Sequence, residues 1–124
     1  MNDETMLLRQ VHPAFFPDGA LSSQAFFPFP KDEGMLSVDD GDQVSGEASH
    51  RYYTVNLGLE SVGVWAVSGG EVVSLALAYR ADPVAGNDAH SVIDFGARSD
   101  KECRKLAKRL KNFAIDRGSV YCSA

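Results

Sequence analysis

The sequence predicts a single α+β domain over residues 1–124, a mostly antiparallel sheet with a C-terminal amphipathic helix packed on one face. Three observations predict it. Residues 61–95 hold the only Trp and the longest apolar runs. They divide into strand-like pieces at 61–67, 75–80 and 89–95, whose β-branched and aromatic content suits a pleated, half-buried surface. Residues 99–117 place Cys103, Leu106, Ala107, Leu110, Phe113 and Ala114 on one helical stripe. The link between the first two strand-like pieces is too short for a parallel crossover, so they are expected to pair antiparallel. All three pieces are expected at the centre of the sheet.

Taken from the N-terminus, residues 1–5 are polar and read as frayed. Residues 6–12 read as a strand with Leu8, Gln10 and His12 on one face and Leu7, Arg9 and Val11 on the other, ended by Pro13, which has no N–H for a ladder. Residues 13–30 hold five of the seven Phe and four of the five Pro. Within them Pro17-Asp18-Gly19 is a turn signal, and residues 22–27 suggest a short edge strand stopped by Pro28. This aromatic arm, Phe26 and Phe27 included, either meets a partner or completes the chain's own core.

A polar turn is expected at 31–34 and a brief strand at 35–38. Asp39-Asp40-Gly41-Asp42 lacks the glycine position and the distal glutamate of a calcium loop, so it reads as a solvated turn and not a metal site. Residues 46–57 suggest a helix capped by Ser45 and ended by Gly58, with Ala48, Tyr52 and Val55 as its apolar stripe and His50 at the surface. Residues 61–67 are apolar on both faces, which predicts a strand covered on both sides. Ser68 and Glu71 fit a capping box, favouring a helical turn over a Gly-Gly hairpin at 68–74. Ser99 and Glu102 repeat that pattern at the long helix, and Gly118 ends it. Residues 120–122 suggest a last short strand.

Composition bounds the function classes. The apolar fraction is 44% and the charged fraction 23%, ordinary for a globular chain. No apolar run reaches the roughly 20 residues of a membrane span, and the N-terminal stretch lacks the basic and apolar segments of a secretory signal. Two cysteines without a CxxC spacing favour a reducing cytoplasm. Net charge is −5, unevenly spread: ten acids against three bases in residues 1–60, seven acids against nine bases thereafter. An acidic whole argues against non-specific nucleic-acid binding.

No GxxxxGK[ST], GxGxxG, HExxH or GxSxG is present, and no cofactor is expected. His90 and Asp94 share a strand face, yet at about 3.3 Å per residue they lie ~13 Å apart and line one cleft at most. Cys103 falls on the buried helix stripe, while Cys122 is a candidate exposed thiol. Lys101, Arg104, Lys105, Lys108, Arg109 and Lys111 cover the outside of the long helix, forming either a solvated face or a contact surface for another protein.

The balance is against an enzyme. The leading expectation is a cytoplasmic, non-catalytic protein-binding module, an antitoxin- or immunity-like accessory partner, using Lys101, Arg104, Lys105, Lys108, Arg109, Phe26 and Phe27. Self-association through the Phe/Pro arm is a further option. The alternative is a small enzyme acting on a nucleotide or nucleic acid: a strand with Arg9 and His12, followed by Ser22 and Ser23, is loosely what an ADP-ribosyl-type transferase would offer.

Overall fold

The structure, a computed structural model, describes residues 1–29 and 33–122. Strands β1 (Met6–Val11), β2 (Met35–Asp40), β3 (Gly63–Ser68), β4 (Ala78–Ala81), β5 (His90–Asp94) and β6 (Tyr121–Cys122) form one sheet of order β4-β5-β2-β1-β3-β6. Every neighbouring pair is antiparallel. Helices α1 (Gly46–Arg51), α2 (Gly69–Ser74) and α3 (Asp100–Arg117) complete the α+β architecture.

The alternation read from β1 sets the two faces of the sheet. Leu7 and Val11 join the main core with Trp65, Val67, Leu36 and Ile93, while Leu8 meets Val64 and Ala66 on the other side. The six residues of β3 are buried, as a strand apolar on both faces requires. The middle of the sheet nevertheless comes from the first third of the chain: β2 and β1 occupy it, and β3 is one strand from an edge.

The first face is closed by α3 and by the Phe/Pro arm. Cys103, Ala107, Leu110 and Ala114 of α3 are buried, and Leu106 and Phe113 pack beside them. Ser99 Oγ accepts from Glu102 N–H at 3.2 Å, and Gly118, with φ of 88°, ends the helix. The arm is not an edge strand. Residues Ser23–Phe26 form a 3₁₀ turn, with Ser22 Oγ accepting from Gln24 N–H at 3.2 Å. The physical reason is local: a serine beside free backbone donors caps a turn more readily than it extends a ladder. Two further 3₁₀ turns, Pro13–Phe15 and Pro17–Gly19, bring Phe15 and Phe16 inward, and Phe16 lies 5.2 Å from Trp65 between ring centroids.

The opposite face is covered only in part. Ser45 caps α1 through Ala48 N–H at 3.1 Å, but after Arg51 the helix widens into a π turn at Tyr52–Asn56, where Leu57 N–H donates to Tyr52 O. The extra residue breaks the 3.6-residue period on which an Ala48/Tyr52/Val55 stripe depends. Val55 is accordingly 73% exposed, and the buried positions of α1 are Gly46 and Ser49.

The helical turn at Ser68 and Glu71 is present as α2. Ser68 Oγ accepts from Glu71 N–H at 3.1 Å, and Glu71 Oε1 accepts from Ser68 N–H at 2.8 Å. It does not join paired strands. It carries the chain from β3 to the far edge, where β4 pairs only with β5. Leu75 and Leu77, expected in that strand, precede it; both are buried, and Ala76 between them has a φ of 60° outside any strand conformation.

The polar start is tied down rather than frayed. Thr5 is 1% exposed, donates from Oγ1 to Asp42 Oδ2 at 2.6 Å, and its carbonyl accepts from Gly69 N–H at 3.0 Å. The expected turn at 31–34 lies partly outside the described residues; Glu33 and Gly34 both have positive φ, 52° and 80°.

Candidate functional site

The cationic face of α3 follows from the helix's own periodicity. With the apolar stripe turned to the sheet, Lys101, Arg104, Lys105, Lys108 and Arg109 project outward and are exposed. With the described residues none of the five forms an ion pair. By contrast Arg117, at the end of the same helix, is engaged. Its Nη1 lies 2.9 Å from Ala66 O and 2.9 Å from Glu71 Oε1. Burial pushes the Glu71 carboxyl up, but the Arg117 hydrogen bond and the Ser68 N–H outweigh it, leaving the group below its ordinary value.

The aromatic candidates separate. Phe26 is 0% exposed and belongs to the core, so it cannot serve as a contact residue on the surface. Phe27 is half-buried, packed on that core and edge-on to Phe29 at 5.4 Å. The arm therefore spends its aromatic area inside its own fold.

Arg9, His12 and Ser23 take separate parts. Arg9 donates from Nε to Ala25 O at 2.7 Å and from Nη1 to Ser37 O at 2.9 Å. His12 Nδ1 accepts from Ala14 N–H at 2.9 Å, capping the turn that Pro13 begins. Ser23 sits in the 3₁₀ turn capped by Ser22.

The less covered face holds a cleft that local reading does not reveal. Asp39 was expected in a solvated turn; instead its Oδ2 accepts from Ser49 Oγ at 2.6 Å and its Oδ1 from Asn87 Nδ2 at 2.9 Å. Ser49 Oγ in turn accepts from Gln10 Nε2 at 2.8 Å. This chain ties α1 and the 84–87 turn to β1 and β2. Asp40 is 4% exposed and accepts from Asp42 N–H and Gln43 Nε2. The acidic run is thus a set of internal acceptors. Tyr52, Tyr53, Leu57 and His90 are among the residues that line a cleft of ≈ 180 Å³. Arg9 also lines it; His12 and Ser23 do not.

His90 and Asp94 each have another partner. His90 Nδ1 lies 2.8 Å from Asp82 O and 3.4 Å from Asp82 Oδ2, and Asp94 Oδ2 accepts from Arg80 Nη1 at 2.8 Å. The Arg80 hydrogen bond and the Gly96 N–H hold the Asp94 carboxyl below its usual range. His50, expected at the surface, is half-buried: its Nε2 lies 3.1 Å from Ser61 O and its ring 5.0 Å from that of Tyr121. Cys103 is buried, which pushes its thiol up, and Cys122 is exposed. Among the described residues no three His, Cys, Asp or Glu side chains are grouped to hold a metal, and no helix is long and apolar enough to cross a membrane.

Against this geometry, no protein-family model, curated protein or solved structure matches the chain.

Proposed function

We propose that this chain is a non-catalytic protein-binding module, an accessory partner of the antitoxin or immunity kind, that meets an acidic protein surface through α3. One observation carries the reading: five exposed cations on one rigid helix, none in an ion pair with the described residues. A helix anchored by a buried stripe holds its outer charges in fixed register, so a complementary acidic patch gains attraction and orientation at little ordering cost. A protein partner is favoured over nucleic acid because Phe113, the sole aromatic of α3, packs into the core, leaving the outer face without a base-stacking ring. A cytoplasmic setting suits the free Cys103 and Cys122.

The test is affinity capture with the wild type and a Lys105→Glu/Lys108→Glu/Arg109→Glu variant, at low and high salt. The expected result is a partner of acidic surface retained by the wild type, released by salt, and lost in the variant while its circular dichroism is unchanged. An identical set of captured proteins for both chains would defeat the proposal.

A further inference from the structure

The cleft beside Tyr52 and Tyr53 exists because the sheet forks. β1 pairs with β2 only at Leu7↔Asp40 and Leu8↔Asp39. Beyond that point β1 follows β3 as far as Val11↔Gly63, while β2 follows β5 as far as Met35↔Asp94. In the fork, where a ladder N–H would otherwise meet the Ser37 carbonyl, the Arg9 guanidinium donates to it at 2.9 Å. The sheet is closed there by a side chain instead of a strand, and the opening above it faces the partly covered side.

Two properties define what fits. The volume, ≈ 180 Å³, is near that of an apolar cavity that accepts benzene, about 150 Å³, and so suits one ring. The charged groups at its edge are already engaged: both Asp39 oxygens accept protein donors, and Arg9 donates to two carbonyls. An uncharged occupant therefore leaves no charge exposed by desolvation.

His90 supplies the directional group. Asp82 O, 2.8 Å from Nδ1, can only accept a hydrogen bond, so Nδ1 carries a proton, and Nε2 is the nitrogen that can accept one from an occupant. Among the described residues Nε2 has no partner. The Tyr52 hydroxyl lies over Gly86, where an added Cβ would stand 3.0 Å from it.

We propose that the β1/β2 fork is a binding site for a small, uncharged planar ring bearing an N–H or O–H donor. The ring lies against Tyr52 and Tyr53, and its donor meets His90 Nε2. Aromatic walls supply area and the single acceptor supplies orientation, the usual division of labour in a small-molecule site.

Phenol and toluene test this directly, since they share a shape and only phenol has a donor. Titrations of the wild type, His90→Phe and Tyr53→Leu are followed by amide shifts of residues 89–91. Wild type is expected to bind phenol at least fivefold tighter than toluene. His90→Phe is expected to lose that preference, and Tyr53→Leu to weaken both ligands. Equal affinity for the two, no saturable binding of either, or an unchanged preference in His90→Phe overturns the proposal. A long-range ¹H–¹⁵N spectrum of the wild type needs no variant: a proton on Nε2 of the neutral ring would overturn it as well.

Discussion

The two faces of the sheet solve the same covering problem with opposite materials. On one, α3 and the aromatic arm bury a continuous apolar layer from Leu7 to Ala114. On the other, a short helix and its π turn rest on a hydrogen-bonded chain from Gln10 through Ser49 and Asp39 to Asn87. The first face derives its strength from area, which is non-directional and tolerant of detail. The second derives its geometry from directed bonds that leave room beside them. Apolar area is concentrated where the side chains interlock, and open space is left where directed bonds replace them.

The sharpest way to break this contrast is Phe26→Ala. Removing a ring that is 0% exposed is expected to cost about 3–5 kcal/mol in urea unfolding. A loss below about 1 kcal/mol would mean that the arm is not part of the core. On the opposite face, Asp39→Ala strands the Ser49 and Asn87 donors, and about 1–3 kcal/mol is expected from the same measurement. It is also expected to raise amide exchange in α1, which keeps the Gln10 and His50 contacts but loses the Ser49–Asp39 bond.

A smaller effect separates charge from area. Glu71 has its folded pKa below the ordinary 4.5, so it favours the folded state above that pH. This contribution is expected to vanish as pH falls through the lowered folded value. Glu71→Gln should flatten that part of the acid limb in a pH series of thermal unfolding; an unchanged limb would show that Arg117 does not hold the carboxylate. Smallest of all, Val55→Ser, at a position 73% exposed, is expected to stay within about 0.5 kcal/mol of wild type. A larger loss would place hidden packing on the less covered face.

Local chemistry was legible where the signal lay within one turn or one strand. The α3 stripe, its Ser99 cap, the Ser68/Glu71 box and the double-sided β3 all depend on neighbours a few residues apart, and each is present. Strand order was not legible. Hydropathy marks residues 61–95 as the most apolar stretch, but β1 and β2 take the middle because their pairings join residues 31 to 62 positions apart, which no local pattern encodes. The π turn at Tyr52 defeated a stripe drawn with a fixed period. The cleft was illegible for both reasons: Arg9, Tyr53 and His90 meet only through topology, and Asp39 looks solvated until Asn87 is folded onto it.

Arg117 has a last consequence for how copies of this chain behave toward one another. The two-residue β6 pairs with β3 at Gly63 and Val64, and further along that side the buried Ala66 carbonyl accepts from the guanidinium instead of from a strand. A strand border whose backbone groups lack partners is a template on which a foreign strand can add. Arg117→Ala is expected to leave that carbonyl without its present partner, and any gain in strand addition would show as concentration-dependent light scattering of the folded variant.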